Sequence, residues 1–413
     1  MSSREMEPAL PDVELVRPRA AELLREAADV GRHLHPATLE AVTELLRTIN
    51  CYYSNLIEGH DTHPAAIERA MAGELSSEPA TRDLQIEATA HIEVQRTIEA
   101  RLSGEPALNV CETDFVRWIH EEFYRRMPAD FRMVQSPDGS REEPVVPGAL
   151  RRFGVRVGHH VAPDAAELAS LLQRFATVYD PAIHLARDPT GALALSVLGA
   201  AHHRLLWIHP FGDGNGRVTR LMTDAYLRRA GVGAHGLWTL SRGLARASAR
   251  YKQALAAADD LRRNDYDGRG PLSQRGLDEF CGFFLEIALD QVRYMAGVLA
   301  VERLTERFVA YCRAREAGLL SDAEQSARPG RPRLGFRPEA TRLLRTMLAQ
   351  GPIRREQVEE VTGLGDRTSR RMIRSLLDEG LIASDSQRAS LRIRFPAHLA
   401  PYVFPGLYGP DVA

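Results

Sequence analysis

This sequence predicts a mainly α-helical chain with a small β-hairpin, followed by a C-terminal winged helix-turn-helix domain. Three observations carry that reading. Apolar residues recur at helical spacing through most of the chain. Ahead of the last domain, clear alternation is confined to Phe153–Val161, around a Gly158-His159 turn. Composition breaks at Ala327-Arg328-Pro329-Gly330-Arg331-Pro332-Arg333, a proline- and glycine-rich linker. With 413 residues, 44% of them hydrophobic, the chain can bury a large core in two or three domains.

The elements follow in order. Residues 36–58 make one amphipathic helix: Pro36 stands near its start, and Leu45, Ile49, Tyr52, Tyr53, Leu56 and Ile57 line one face. Gly59 ends it, because glycine accepts a left-handed turn. Glu58 is then an acid on the last turn, where the helix dipole disfavours negative charge. Residues 64–100 continue in helical style, and the texture changes at Pro144-Val145-Val146-Pro147-Gly148 before the hairpin. Pro163-Asp164 opens another helix, residues 191–208 are apolar nearly all round and so form a central helix, and residues 277–315 read as one long helix. Beyond the linker come helices at Pro338–Gln350, Arg355–Val361 and Asp366–Glu379, two wing strands near 380–383 and 391–395, and a loose tail.

A formal charge of −2 argues against a nucleic-acid coat over the whole chain or a polybasic membrane anchor. Lys252 is the single lysine, so arginine clusters carry less information here than usual. Cys51, Cys111, Cys281 and Cys312 have no paired spacing, which points to reduced thiols rather than a disulfide frame or zinc site. The polar start, Met1-Ser2-Ser3-Arg4-Glu5, has no apolar signal core, and the apolar run from Gly191 to Ala201 is too short to span a bilayer. A cytoplasmic protein with no membrane contact is expected.

The strongest local signal is His209-Pro210-Phe211-Gly212-Asp213-Gly214-Asn215-Gly216-Arg217-Val218-Thr219-Arg220. It joins the apolar helix to an amphipathic one with a stripe of Val218, Leu221, Met222 and Ala225. Three glycines leave backbone amides bare where a helix begins, which makes an anion nest suited to phosphate. Arg217 and Arg220 share a face and can clamp phosphate oxygens. Asp213 offers a hard oxygen for magnesium, and His209 can take a proton near neutrality. A Walker loop would need a lysine, a dinucleotide fingerprint a preceding strand, and a calcium loop a carboxylate or amide where Arg217 stands. Zinc would need a second ligand at suitable spacing. His202 and His203, on the preceding helix, read as packing residues.

This segment resembles the Fic-family signature, His-x-Phe-x-(Asp/Glu)-Gly-Asn-Gly-Arg-x-x-Arg, at every fixed position. The apolar helix before it, the hairpin at 153–161 and Tyr251 in the following helical region also resemble the family layout, with one departure: Tyr251-Lys252 stands where many relatives carry paired tyrosines. The resemblance implies a Fic-type helical core with a hairpin flap, and transfer of AMP from MgATP to a hydroxyl of a target protein. His209 would be the base. Asp213, Gly214, Asn215, Gly216, Arg217, Arg220 and Tyr251 would bind ATP, with Mg2+ on Asp213. Phe211 would be a packing anchor, and the flap would align the target by strand addition, with His159 and His160 at its solvent-exposed tip. Ser54-x-x-x-Glu58-Gly59 resembles the inhibitory motif of some relatives. It implies that Glu58 reaches Arg220 and takes the place of the γ-phosphate, with Ser54 fixing the helix end.

In the C-terminal module, arginines outnumber acids by four over 337–396. Arg367, Arg370, Arg371 and Arg374 share one face of the third helix, opposite Met372, Ile373, Leu376 and Leu377, a pattern that suits phosphate contacts in a DNA groove. The expected domains are 1–109, a helical region with the inhibitory helix; 110–315, the Fic domain; 316–335, a linker; 336–396, the winged helix; and 397–413, a tail. The expected partners are a target protein (or the protein itself), DNA and a second copy in a homodimer. The alternative function is a DNA-binding regulator whose Fic domain modifies itself or senses nucleotide.

Overall fold

A computed structural model of the chain describes residues 6–135, 142–158, 160–232, 236–320 and 336–409. The expected linker falls largely outside them, as does His159. Helices come in the order α1 (Val13–Asp29), α2 (Pro36–Ile57), α3 (Pro64–Met71), α4 (Pro79–Gly104), α5 (Thr113–Tyr124), α6 (Leu168–Tyr179), α7 (Pro181–Arg187), α8 (Ala192–Ile208) and α9 (Asn215–Arg229). They continue as α10 (Leu240–Arg246), α11 (Ser248–Ala257), α12 (Gln274–Val298), α13 (Val301–Glu316), α14 (Pro338–Gln350), α15 (Gln357–Thr362), α16 (Asp366–Asp378) and α17 (Ala400–Val403). The fold is mainly helical, as expected. Among the described residues no helix is long and apolar enough to cross a membrane.

Two compact units divide the chain. One takes residues up to Ala28, Asn50–Thr62 and Ser76–Val292; the other takes Asp29–Ile49, His63–Leu75 and residues from Arg293 on. This differs from the expected division at 109/110 and 315/316. In the first unit, the early segment is tied to the central helices: Tyr179 donates to the Ala9 carbonyl, and Arg17 pairs with Asp188 at 3.0 Å.

In the first unit α8, apolar on all sides, is the hub. It packs against α6, α7 and α9, while α9 also meets α4 and α5. Two short hairpins decorate this core. The pair β3 (Arg156–Val157) and β4 (His160–Val161) falls where alternation predicts it. The pair β1 (Met133–Gln135) and β2 (Glu142–Pro144) has no such pattern and is not foreseen.

In the second unit α14 packs on α13 and α15, and α15 on α16. A short hairpin follows: β5 (Ile382–Ala383) pairs antiparallel with β6 (Arg392–Ile393), and Ile353 bridges Leu391. Arg367, Arg370, Arg371 and Arg374 are exposed on α16, whereas Met372, Ile373 and Leu376 are buried. Two expectations need correction. The long helix at 277–315 breaks into α12 and α13 because Ala300 takes an extended conformation, φ −54° and ψ 121°. The loose tail is packed: Leu399, Val403, Phe404 and Leu407 are fully buried, since four large apolar side chains leave water together.

Candidate active site

The site lies in the first unit, at the junction of α8 and α9. Helix α8 ends at His209, whose φ of 50° and ψ of 61° put a non-glycine residue in the left-handed region. Arg151 holds that conformation. Its Nε donates to the His209 carbonyl at 2.7 Å, its backbone N–H to the Pro210 carbonyl at 2.9 Å, and its Nη2 to the Pro163 carbonyl at 2.7 Å. The His209 Nδ1 faces the Leu206 carbonyl at 3.3 Å; with the proton assigned there, Nε2 keeps its lone pair. Burial lowers the His209 pKa to about 4, so the neutral imidazole prevails at pH 7.

The loop after His209 is stapled from within. Asn215 accepts at Oδ1 from the Phe211 N–H at 3.0 Å and donates from Nδ2 to the Phe211 carbonyl at 2.9 Å. Its side chain therefore shapes the loop rather than facing a ligand. Phe211 is fully buried and stacks on His120 with centroids 4.0 Å apart, as a packing anchor should. Gly214 begins α9 at φ 78°, and a β-carbon there would overlap the Tyr124 ring, so geometry and space both require glycine.

Around this helix start, two arginines meet acids from distant elements. Arg220 donates from Nη2 to Glu58 Oε1 at 2.6 Å, and from Nε to Ser54 Oγ at 2.9 Å. Ser54 is thus a direct acceptor for Arg220, where the sequence reading has it fix the helix end. The turn that carries Glu58 is fixed by backbone bonds instead: Gly59 N–H to Leu56 O and His60 N–H to Asn55 O, each 3.0 Å, with Gly59 at φ 88°. Burial alone would raise the Glu58 pKa, but Arg220 outweighs it and holds the carboxyl below its ordinary value. Glu58 is charged at neutrality.

Arg217 is buried and sits among acids. Nη1 contacts Glu87 Oε1 at 2.5 Å, and Nη2 contacts Asp213 Oδ2 at 3.0 Å. Tyr124 donates to the same Asp213 oxygen. For Asp213, burial is again outweighed, here by Arg217, and its pKa falls. Glu87, His60, Tyr124 and Arg151 belong to this site and are missed by the sequence reading.

Other expected residues take plainer places. Tyr251 is buried behind the site and shares a hydrogen bond of 2.7 Å with His202, which also meets Thr223 at 2.8 Å. His203 pairs with Asp259 at 3.0 Å. His160 is not a solvent-exposed tip: its Nε2 lies 2.8 Å from the Trp207 carbonyl, and its Nδ1 is 3.5 Å from Asp259.

Residues 110–227 match the Fic/DOC family. A stretch of 89 residues is 42% identical to proteins named Protein adenylyltransferase Fic from Drosophila willistoni and Drosophila virilis, and 40% identical to that of Drosophila melanogaster. The stretch covers 22% of this chain and only 17% of those relatives. A crystal structure of a Fic domain containing signaling protein from Bacteroides thetaiotaomicron aligns with a TM-score of 0.50 at 16% identity, over 68% of this chain and 96% of that one. That likeness is one of fold.

Proposed function

With residues 110–227 a Fic domain, we propose that the protein is an adenylyltransferase that moves AMP from MgATP to a Tyr, Thr or Ser hydroxyl of a target protein, itself included, under restraint by Glu58. The observation that supports this best is the meeting of a neutral, half-buried histidine with a glycine-rich helix start bearing two arginines, each already paired with a carboxylate.

In this reading His209 takes the proton as the target hydroxyl attacks the α-phosphorus. The bond from that phosphorus to its bridging oxygen breaks, and pyrophosphate leaves toward Arg217 and Arg220. The amides of Gly214, Asn215 and Gly216 hold phosphate oxygens in line, so positioning and charge stabilisation do most of the work. Tyr251 would support the nucleotide pocket from behind, through His202.

Magnesium fits the donor set as a companion of the nucleotide. Asp213 is half exposed and supplies one carboxylate, and among the described residues no group of three or more His, Cys, Asp or Glu could form a cage. Magnesium typically joins one or two carboxylates to substrate phosphates and water. When bound, it would neutralise phosphate charge. The β3–β4 hairpin exposes Val157 and Val161, which suits pairing with an extended target segment.

Incubating the full chain and its Glu58→Gly variant with α-labelled ATP, GTP and UTP, with and without magnesium, tests the reading. Label on protein from ATP is expected, and mass spectrometry locates it. No label on protein from either form overturns it. The same reading has the protein as a cytoplasmic homodimer, which sedimentation of the full chain examines. A second reading, a DNA-binding regulator, draws on the exposed arginine face of α16.

A further inference from the structure

Glu87 has no part in the reaction described above, yet it makes the shortest contact of Arg217. Resting on that reading, we infer that Glu87 is a positioning residue: it holds one edge of the Arg217 guanidinium so that the other faces the phosphate cradle, and His60 locks Glu87 to the turn that bears Glu58.

A guanidinium is planar and has two terminal nitrogens. In Arg217, Nη1 is taken by Glu87 and Nη2 lies on the cradle side, against Asp213 at the start of α9. The plane is further set by Phe123, whose ring centre lies 5.0 Å from the guanidinium carbon. Nε is buried with no hydrogen-bond partner among the described residues. Glu87 is itself fixed: it is buried on α4, and His60 Nδ1 lies 2.9 Å from Oε2 and 3.1 Å from Oε1. His60 directly follows Gly59, so Glu58 and Glu87, the two acids that reach the cradle arginines from outside the glycine-rich segment, are tied to one turn.

Glu58 and Glu87 therefore differ in kind. Glu58 is partly exposed at a helix end, placed to leave; Glu87 is enclosed, and without it the buried Arg217 would be left with the half-exposed Asp213 as its carboxylate partner. When phosphate and magnesium engage Asp213 and Nη2, the Nη1–Glu87 contact can persist unchanged.

The test measures binding, which is separate from transfer. ATP, pyrophosphate and AMP are titrated by calorimetry into the full chain carrying Glu58→Gly, with and without Glu87→Gln. The Gln keeps the shape and one acceptor but loses the charge. ATP and pyrophosphate, which carry the phosphates that Arg217 meets, are expected to bind at least tenfold more weakly, with AMP within twofold. Unchanged pyrophosphate binding overturns the inference, as does equal weakening of AMP, which marks general collapse. Tighter ATP binding also overturns it, because Glu87 would then compete with phosphate as Glu58 does. His60→Ala, at a half-exposed position, guards against misfolding of the buried variant. It is expected to weaken ATP and pyrophosphate several-fold with the same selectivity, and unchanged binding there overturns the inference as well. Should the Glu58→Gly protein transfer no AMP at all, the proposed reaction fails while these binding results still decide the role of Glu87.

Discussion

The carboxylate of Glu58 sits where a side chain at position 216 would have to be: a β-carbon built on Gly216 would overlap Oε1 of Glu58 and approach Nη1 of Arg220 to 3.0 Å. The acid thus lies against bare backbone at the start of α9, where the proposed phosphate would sit. Gly216→Ala is expected to drive Glu58 out and also to block the nucleotide. ATP should bind at least about tenfold more weakly, a loss of about 1.4 kcal/mol, and Glu58→Gly should not restore it. Alanine favours a helix over glycine by up to about 1 kcal/mol, so an undiminished melting temperature would confine the effect to the site. Unchanged ATP affinity would show that phosphate does not use this ground.

Removing the restraint itself is the more direct change. Glu58 keeps about a third of its side chain exposed, so water screens its pairing with Arg220, yet about 1.4 kcal/mol is enough to keep roughly ten molecules paired for each unpaired one. Glu58→Gly is expected to raise AMP transfer, self-modification included, by about tenfold or more. Arg220→Ala should not mimic it, because in the proposed reaction that arginine would also serve the phosphate. Labelling rates of the three proteins, compared side by side, check this; an unchanged or lower rate for Glu58→Gly would remove Glu58 from regulation.

His209→Ala should abolish the proposed transfer while nucleotide binding survives, since in this reading the phosphate contacts would come from Asp213 through Arg220. The sign of its pH behaviour also follows. A pKa lowered to about 4 by burial means that the proton acceptor is present throughout the range above that value and is lost only as the pH falls through it. An NMR titration of the imidazole, assigned with a His209→Asn variant, should show a midpoint near 4. A midpoint near the ordinary value of about 6.5 would contradict the buried geometry.

For the C-terminal module, Arg370→Ala with Arg374→Ala should weaken duplex DNA binding and flatten its salt dependence, because each lost phosphate contact releases fewer counterions. Arg370 lies 2.8 Å from Asp366 on the same exposed face, so Arg374 is expected to contribute more. If the intact protein has no salt-sensitive DNA affinity, the exposed face serves a protein partner.

How much of this was legible depends on distance along the chain. His209 to Arg220 is contiguous, so the nest, the base and the arginines could be read together. Glu58 could be singled out because an acid at a helix C-terminus is locally unfavourable. Nothing local marks Glu87, which lies on α4 among Glu93, Arg96 and Glu99, and meets Arg217 across 130 residues. Arg151 was equally hidden in a chain rich in arginine. The β1–β2 hairpin lacked alternation, and the break between α12 and α13 has no proline to announce it. Such features are settled by tertiary contact rather than by local preference.

The matching of charges around α9 has a further consequence, for how a nucleotide arrives. Two cationic side chains, Arg217 and Arg220, stand among three carboxylates, those of Glu58, Glu87 and Asp213. An approaching polyphosphate is therefore not drawn in by a positive field, and association loses the long-range steering that speeds anions toward open basic clefts. With one negative charge in excess among these five groups, the resting protein is expected to take up ATP slowly, and faster as salt screens the repulsion. Without the Glu58 carboxylate the remaining charges balance, so uptake should quicken and lose its dependence on ionic strength, and the acid would govern the rate of capture as well as the pose of what is captured.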